Sequence, residues 1–125
     1  MGFVLKTIML VLFSTAVMAH EMTPTYFKLK SSSYSGVYQA EMSMYNVRED
    51  SSYYEITVLD ENFQRVPFAA TQRIMNVTYL KRKKFTVFIR NRDVDRVVYI
   101  CTQSKTLKGG TESTGITSRI CSKKE

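Results

Sequence analysis

Alternation of apolar and polar side chains constrains this chain more than any other feature. In "YQAEMSMYN" the residues Tyr38, Ala40, Met42 and Met44 share one face, while Gln39, Glu41 and Ser43 share the other. A period of two marks a half-buried strand, because successive side chains of extended backbone point to opposite sides. The same rhythm groups Tyr54, Ile56 and Val58 in "YYEITVLD", Met75, Val77 and Tyr79 in "RIMNVTYL", and Phe85, Val87 and Ile89 in "KKFTVFIRN". "RVVYICTQS" is apolar on both faces from Val97 to Cys101 and predicts a central strand. "TYFKLKSSS" opens the set and "GITSRICSK" closes it. Turn-forming clusters near Ser31, Asp50, Asn62, Lys81, Asp93 and Gly109 separate these runs. About seven short strands in one domain predict an all-β sandwich and exclude a helical bundle.

The first residues read differently. Lys6 is followed by an apolar run from Thr7 to Met18, broken by Ser14 and Thr15, and Val17 and Ala19 supply small residues at its exit. That order predicts a signal peptide over residues 1–19 and one domain over residues 20–125. The run falls short of the about 20 apolar residues of a membrane-spanning helix, so no stable span is expected after cleavage. The expected destination is periplasmic or secreted. The chain carries 18 Lys and Arg against 11 Asp and Glu, and setting aside Lys6 leaves an excess of six positive charges. Such an excess suits anionic or acidic partners, and it also keeps an exported protein soluble.

Two cysteines, Cys101 and Cys121, lie in the exported part. In an oxidising compartment the simplest reading is one disulfide. A hairpin turning over Gly109–Ser113 would set Cys101 opposite Cys121, and opposed residues of antiparallel strands come close enough for the bond. The order Asp95, Tyr99, Cys101 in "DRVVYIC" resembles the tyrosine corner that opens strand F of immunoglobulin-like domains. It narrows the expectation to a single immunoglobulin-like sandwich. The second cysteine is downstream of the first and not on strand B, and no Trp is present, unlike antibody domains.

Candidate chemistry is sparse. His20 is the single histidine and would become the first residue after cleavage. With Met22, Met42 and Met44 it offers soft ligands for Cu(I), but the alternation assigns Met42 and Met44 to the core, and no second histidine completes a copper brace. His20 is therefore read as the mark of the cut, and no cofactor or metal is expected. No serine or cysteine has a histidine base other than His20, and the carboxylate pairs Glu49/Asp50, Asp60/Glu61 and Asp93/Asp95 fall in turn-like segments, so no catalysis is expected. The Asn76-Val77-Thr78 sequon falls in an expected strand and is not read as a glycosylation site. The one concentrated basic feature is Lys81-Arg82-Lys83-Lys84, with Arg90 and Arg92 at the other end of the following strand. It suits an anionic surface or an acidic protein, and equally a charged hairpin end that discourages aggregation. Nucleic acid is not expected as a partner.

The segments "AEMSMYN", "YYEITVLDENFQRVPF" and "VVYICTQSK" with "SRICSK" give the chain a resemblance to the N-terminal domain of periplasmic pilus-assembly chaperones. Their second domain is absent, and with it the cleft that holds their basic pair, so the resemblance implies the fold more than the function. The leading expectation is an exported, non-catalytic module, chaperone-like or adhesive, that binds a protein or an envelope surface through an edge strand or the basic hairpin. Two alternatives stand beside it: a small structural component of an envelope, appendage or virus particle, and a periplasmic copper protein using His20.

Overall fold

The computed structural model describes residues 19–105 and 117–125. The expected leader up to Met18 and the expected turn at Gly109–Ser113 lie outside the described residues. Nine strands follow one another: β1 (Glu21–Thr23), β2 (Tyr26–Phe27), β3 (Lys30–Ser31), β4 (Val37–Tyr45), β5 (Tyr53–Leu59), β6 (Ile74–Asn76), β7 (Arg82–Arg90), β8 (Tyr99–Lys105) and β9 (Arg119–Lys124). A 3-10 helix, Asn91–Arg96, joins β7 to β8.

The strands form two packed sheets. In the first, β4 runs beside β7 along its whole length, and β1 and β3 share its other edge. The second has the order β2-β9-β8-β5-β6, with β2 parallel to β9 and the other pairs antiparallel. Equating β1, β4 and β7 with strands A, B and E, and β5, β8 and β9 with C, F and G, gives the immunoglobulin partition between two sheets. The expected central strand is central: β8 lies between β5 and β9.

The alternating residues fill the space between the sheets. Ala40, Met42, Met44, Val87 and Ile89 from one sheet bury against Tyr54, Ile56, Val58 and Ile100 from the other. Gly36 makes the turn into β4 with φ 72°, while Ser32 N and Val37 N bond to Val37 O and Tyr34 O across it. A positive φ suits glycine because it has no Cβ to clash.

Three expectations are corrected. "TYFKLKSSS" does not form one strand: after β1 the chain crosses at the cis Thr23–Pro24 bond, pairs briefly with the second sheet as β2, and returns to the first as β3. "RIMNVTYL" keeps only Ile74–Asn76 as strand, and Tyr79 is 45% exposed instead of buried with Met75 and Val77. The cause is Asn46, whose Nδ2 donates to Val77 O and whose carbonyl accepts from Leu80 N, pulling residues 78–81 into a turn closed by Lys81 N to Thr78 O. The run at Lys81 is not a hairpin end either: Arg82, Lys83 and Lys84 belong to β7, opposite Tyr45, Met44 and Ser43.

The disulfide forms where the register places it. Cys101 is paired with Cys121 between β8 and β9, with Cα atoms 4.1 Å apart. Because Ile100 and Thr102 point into the core, the bond sits on the opposite face of the second sheet and joins two neighbouring strands.

Candidate functional site

Backbone direction along β7 creates the first feature of interest. Lys81 O accepts from Asn46 N of the β4 side, so odd-numbered residues here turn their backbone groups toward β4 and even-numbered ones turn theirs outward. Phe88 is satisfied outward by two bonds exchanged with Ala69, of 2.8 and 3.0 Å. Beyond Ala69 the chain leaves for β6 in the other sheet. Among the described residues no strand pairs with the outward backbone of Arg82, Lys84 and Thr86. The comparable edge of β5 is closed, because Ile56 N donates to Arg73 O and Val66 N to Val58 O. β1, β2, β3 and β6 are each two or three residues long, and β2 covers β9 only at Lys123 and Lys124, so among the described residues β7 presents the longest run of outward backbone with no partner strand.

A groove of about 290 Å³ runs beside this edge, lined by Ala70, Thr71, Gln72, Met75 and the β7 residues Lys83 to Thr86. Phe85 packs against the core and Met75 is buried, so the groove has an apolar floor. Arg82, Lys83 and Lys84 are exposed at its rim, and the Arg82 guanidinium lies 5.3 Å from the Tyr45 ring centroid. Among the described residues none of these three cations forms an ion pair with a carboxylate.

The second feature is a buried polar cluster at the β1 end of the sandwich. His20 is only 2% exposed, and its ring packs against that of Tyr54 with centroids 4.6 Å apart and planes tilted by 57°. Its Nε2 lies 3.1 Å from Thr102 O and 2.7 Å from Thr102 Oγ1, and its Nδ1 lies 3.3 Å from Ser118 Oγ. The backbone carbonyl can only accept, so the arrangement assigns the neutral tautomer with the proton on Nε2 and Nδ1 accepting from Ser118. Arg48 donates to Ser104 Oγ and Ser118 Oγ through Nη1, and to both Asp50 oxygens at 2.9 and 2.7 Å. Asn46, fully buried, accepts from Arg48 N and Tyr54 Oη and donates to Ser51 O and Val77 O. Burial raises the Tyr54 pKa, and hydrogen bonding to Asp50 raises that of Arg48.

His20 is thus part of the folded interior. Its composition signal, a lone histidine before a short strand, could not reveal partners that come from β8 and Ser118, over 80 residues away. Both ring nitrogens are engaged by protein atoms, and Met22 Sδ accepts from Thr102 Oγ1 at 3.5 Å and pairs across β1–β4 with Met44. Among the described residues no three His, Cys, Asp or Glu side chains group as metal ligands.

Burial holds the His20 pKa down, to about 4 from 6.5, and the nearby Arg48 charge adds to the effect against the Thr102 hydrogen bond. The folded pKa lies below the unfolded one, so the unfolded chain takes the proton first, and the His20 contribution is complete above pH 6.5 and lost as pH falls toward 4. Between pH 7 and pH 5 this amounts to about 2 kcal/mol. Urea unfolding of wild type and His20→Gln at both pH values should show that loss in the wild type alone; parallel losses in both would remove His20 as the cause.

The other expected site residues separate. Lys81 precedes β7, Arg90 ends it, and Arg92 and Asp95 sit in the 3-10 helix, Arg92 with Nε 3.9 Å from Asp93. Six residues of strand put roughly 20 Å between Lys84 and Arg90, so the basic residues form two groups and not one patch. Tyr99 does not pin the crossover. Its ring lies flat on Phe63 at 4.9 Å, the Arg119 guanidinium lies 5.7 Å from the Phe63 centroid, and among the described residues the Tyr99 hydroxyl has no hydrogen bond to the crossover. Lys124 holds the crossover instead, donating from Nζ to Val94 O and from its backbone N to Val98 O.

No helix among the described residues is long and apolar enough to cross a membrane. No family model matches the chain, and no curated protein or solved structure matches it significantly. The class is therefore defined by the architecture alone: a two-sheet β-sandwich with an intrasheet disulfide and, among the described residues, a long open edge along β7.

Proposed function

We propose that this chain is an exported, non-catalytic binding module that receives an extended segment of a partner protein as an added strand on β7. The observation that carries this reading is the outward backbone of Arg82, Lys84 and Thr86 beside a groove floored by Phe85 and Met75. An added strand would satisfy those groups and cover that apolar surface, the mode by which many sheets take up peptides. The weak strand-pattern resemblance to pilus-assembly chaperone domains is in keeping with such a role.

The cations at the rim steer acidic partners and make association salt-dependent. A Lys83→Glu/Lys84→Glu variant should capture markedly less envelope protein than wild type at low salt, with the difference narrowing at high salt. Unchanged capture by a folded variant would remove the cations from the mechanism.

Export sets the start of the mature chain at His20. A cut after Ala19 leaves every strand of the described residues intact, because β1 begins at Glu21. N-terminal sequencing of the exported protein should begin His-Glu-Met, and a retained Met1 would refute the maturation.

A further inference from the structure

We infer that the segment received by β7 alternates acidic and apolar side chains, with carboxylates on the outer face beside Arg82 and Lys84 and apolar groups turned into the groove over Phe85 and Met75. This rests on the strand-addition reading and specifies its partner. Residues opposite one another on paired strands place their side chains on the same face. On β7, Phe85 shares the inner face with Val87 and Ile89, which are buried. A partner residue level with Phe85 therefore points into the groove of about 290 Å³, where Met75 supplies the opposite wall. Its neighbours level with Lys84 and Thr86 point to the outer face. There Arg82 and Lys84 have no carboxylate partner among the described residues, so acidic side chains at that spacing complete two ion pairs.

The same charges argue against a second copy as the occupant. An antiparallel pairing of two β7 edges centred on Lys84 sets Lys84 against Lys84, and like charges directly opposed are destabilising. The open length also limits the segment. Ala69 closes the edge at Phe88 and the turn at residues 78–81 ends it before Arg82, so about five residues, level with Arg82 to Thr86, make the pairing.

The test uses two synthetic peptides of one composition, each flanked by neutral residues: Glu-Leu-Glu-Leu-Glu and Leu-Leu-Glu-Glu-Glu. Titrated into the folded protein and followed by amide chemical shifts of β7, the alternating peptide should bind about tenfold more tightly, which corresponds to 1.4 kcal/mol. Equal affinities would overturn the alternation while leaving strand addition standing. Strand addition is tested separately by Thr86→Pro, which removes an outward N–H without touching the β4 ladder, and by N-methylating the alternating peptide at the amides that face the edge. Both changes should abolish binding, and binding that survives the N-methylated peptide would overturn strand addition itself. Concentration-dependent dimerisation through β7 shifts in the absence of peptide would overturn the choice of occupant.

Discussion

Arg48→Leu is expected to lower the free energy of unfolding by about 2–3 kcal/mol, the cost of removing a buried guanidinium whose hydrogen bonds tie two serines and a partly exposed carboxylate together. The Arg48 side chain is 7% exposed, and its planar fork reaches Asp50 through two nitrogens while the third donates to Ser104 and Ser118. The pair itself need contribute little net stability, because desolvating two charges offsets their attraction. Removing the guanidinium is different: it withdraws donors from the Asp50 carboxylate, itself a third exposed, and from two serines that contact each other and His20. Leucine can form none of those bonds. For a domain of ordinary stability, about 5–15 kcal/mol, such a loss is a sizeable share of the whole. Urea denaturation should show the midpoint drop with little change in slope, and Arg48→Lys, which keeps the charge but not the fork, should fall between the two. A leucine variant within about 1 kcal/mol of wild type, below the about 2–3 kcal/mol expected, would show that the cluster does not hold this end of the sandwich.

The Cys101→Ser/Cys121→Ser variant is expected to lose about 2–4 kcal/mol. The bond closes a loop with a sequence separation of 20 between strands whose ladder already fixes their register. Its effect in the folded state is therefore small, and most of its contribution comes from restricting the unfolded chain. Thermal melting of a domain this size should shift by about 4–8 °C per kcal/mol. Non-reducing peptide mapping of the wild type folded under oxidising conditions should yield one cross-linked peptide, and two free thiols there would contradict the structure. A variant that melts with the wild type would show that the β8–β9 ladder alone restricts this segment.

The sandwich was legible in the sequence because burial on one face of a sheet writes itself as alternation. Met42, Met44, Ile56, Val58, Val87 and Ile89 all lie where the period of two puts them. The disulfide was legible for a related reason: in an antiparallel hairpin, position in the chain determines which residues face each other, and Cys101 and Cys121 do. Short strands left no such record. β1, β2 and β3 are two or three residues long, and their membership of one sheet or the other follows from the crossing at Pro24 and from which edge is vacant. The basic run shows the same limit, since Lys-Arg-Lys-Lys reads alike in a loop and on an edge strand, and only β4 and Ala69 determine that Arg82 to Thr86 form an open edge. His20 is the clearest case: the sequence by itself determined that it is alone and sits behind an apolar run, while the tertiary structure decided that it is buried and neutral. The physical reason is that hydrogen-bond partners such as Thr102 and Ser118 are brought to it by the packing of separate strands, and a side chain's pKa depends on those neighbours and on exclusion of water.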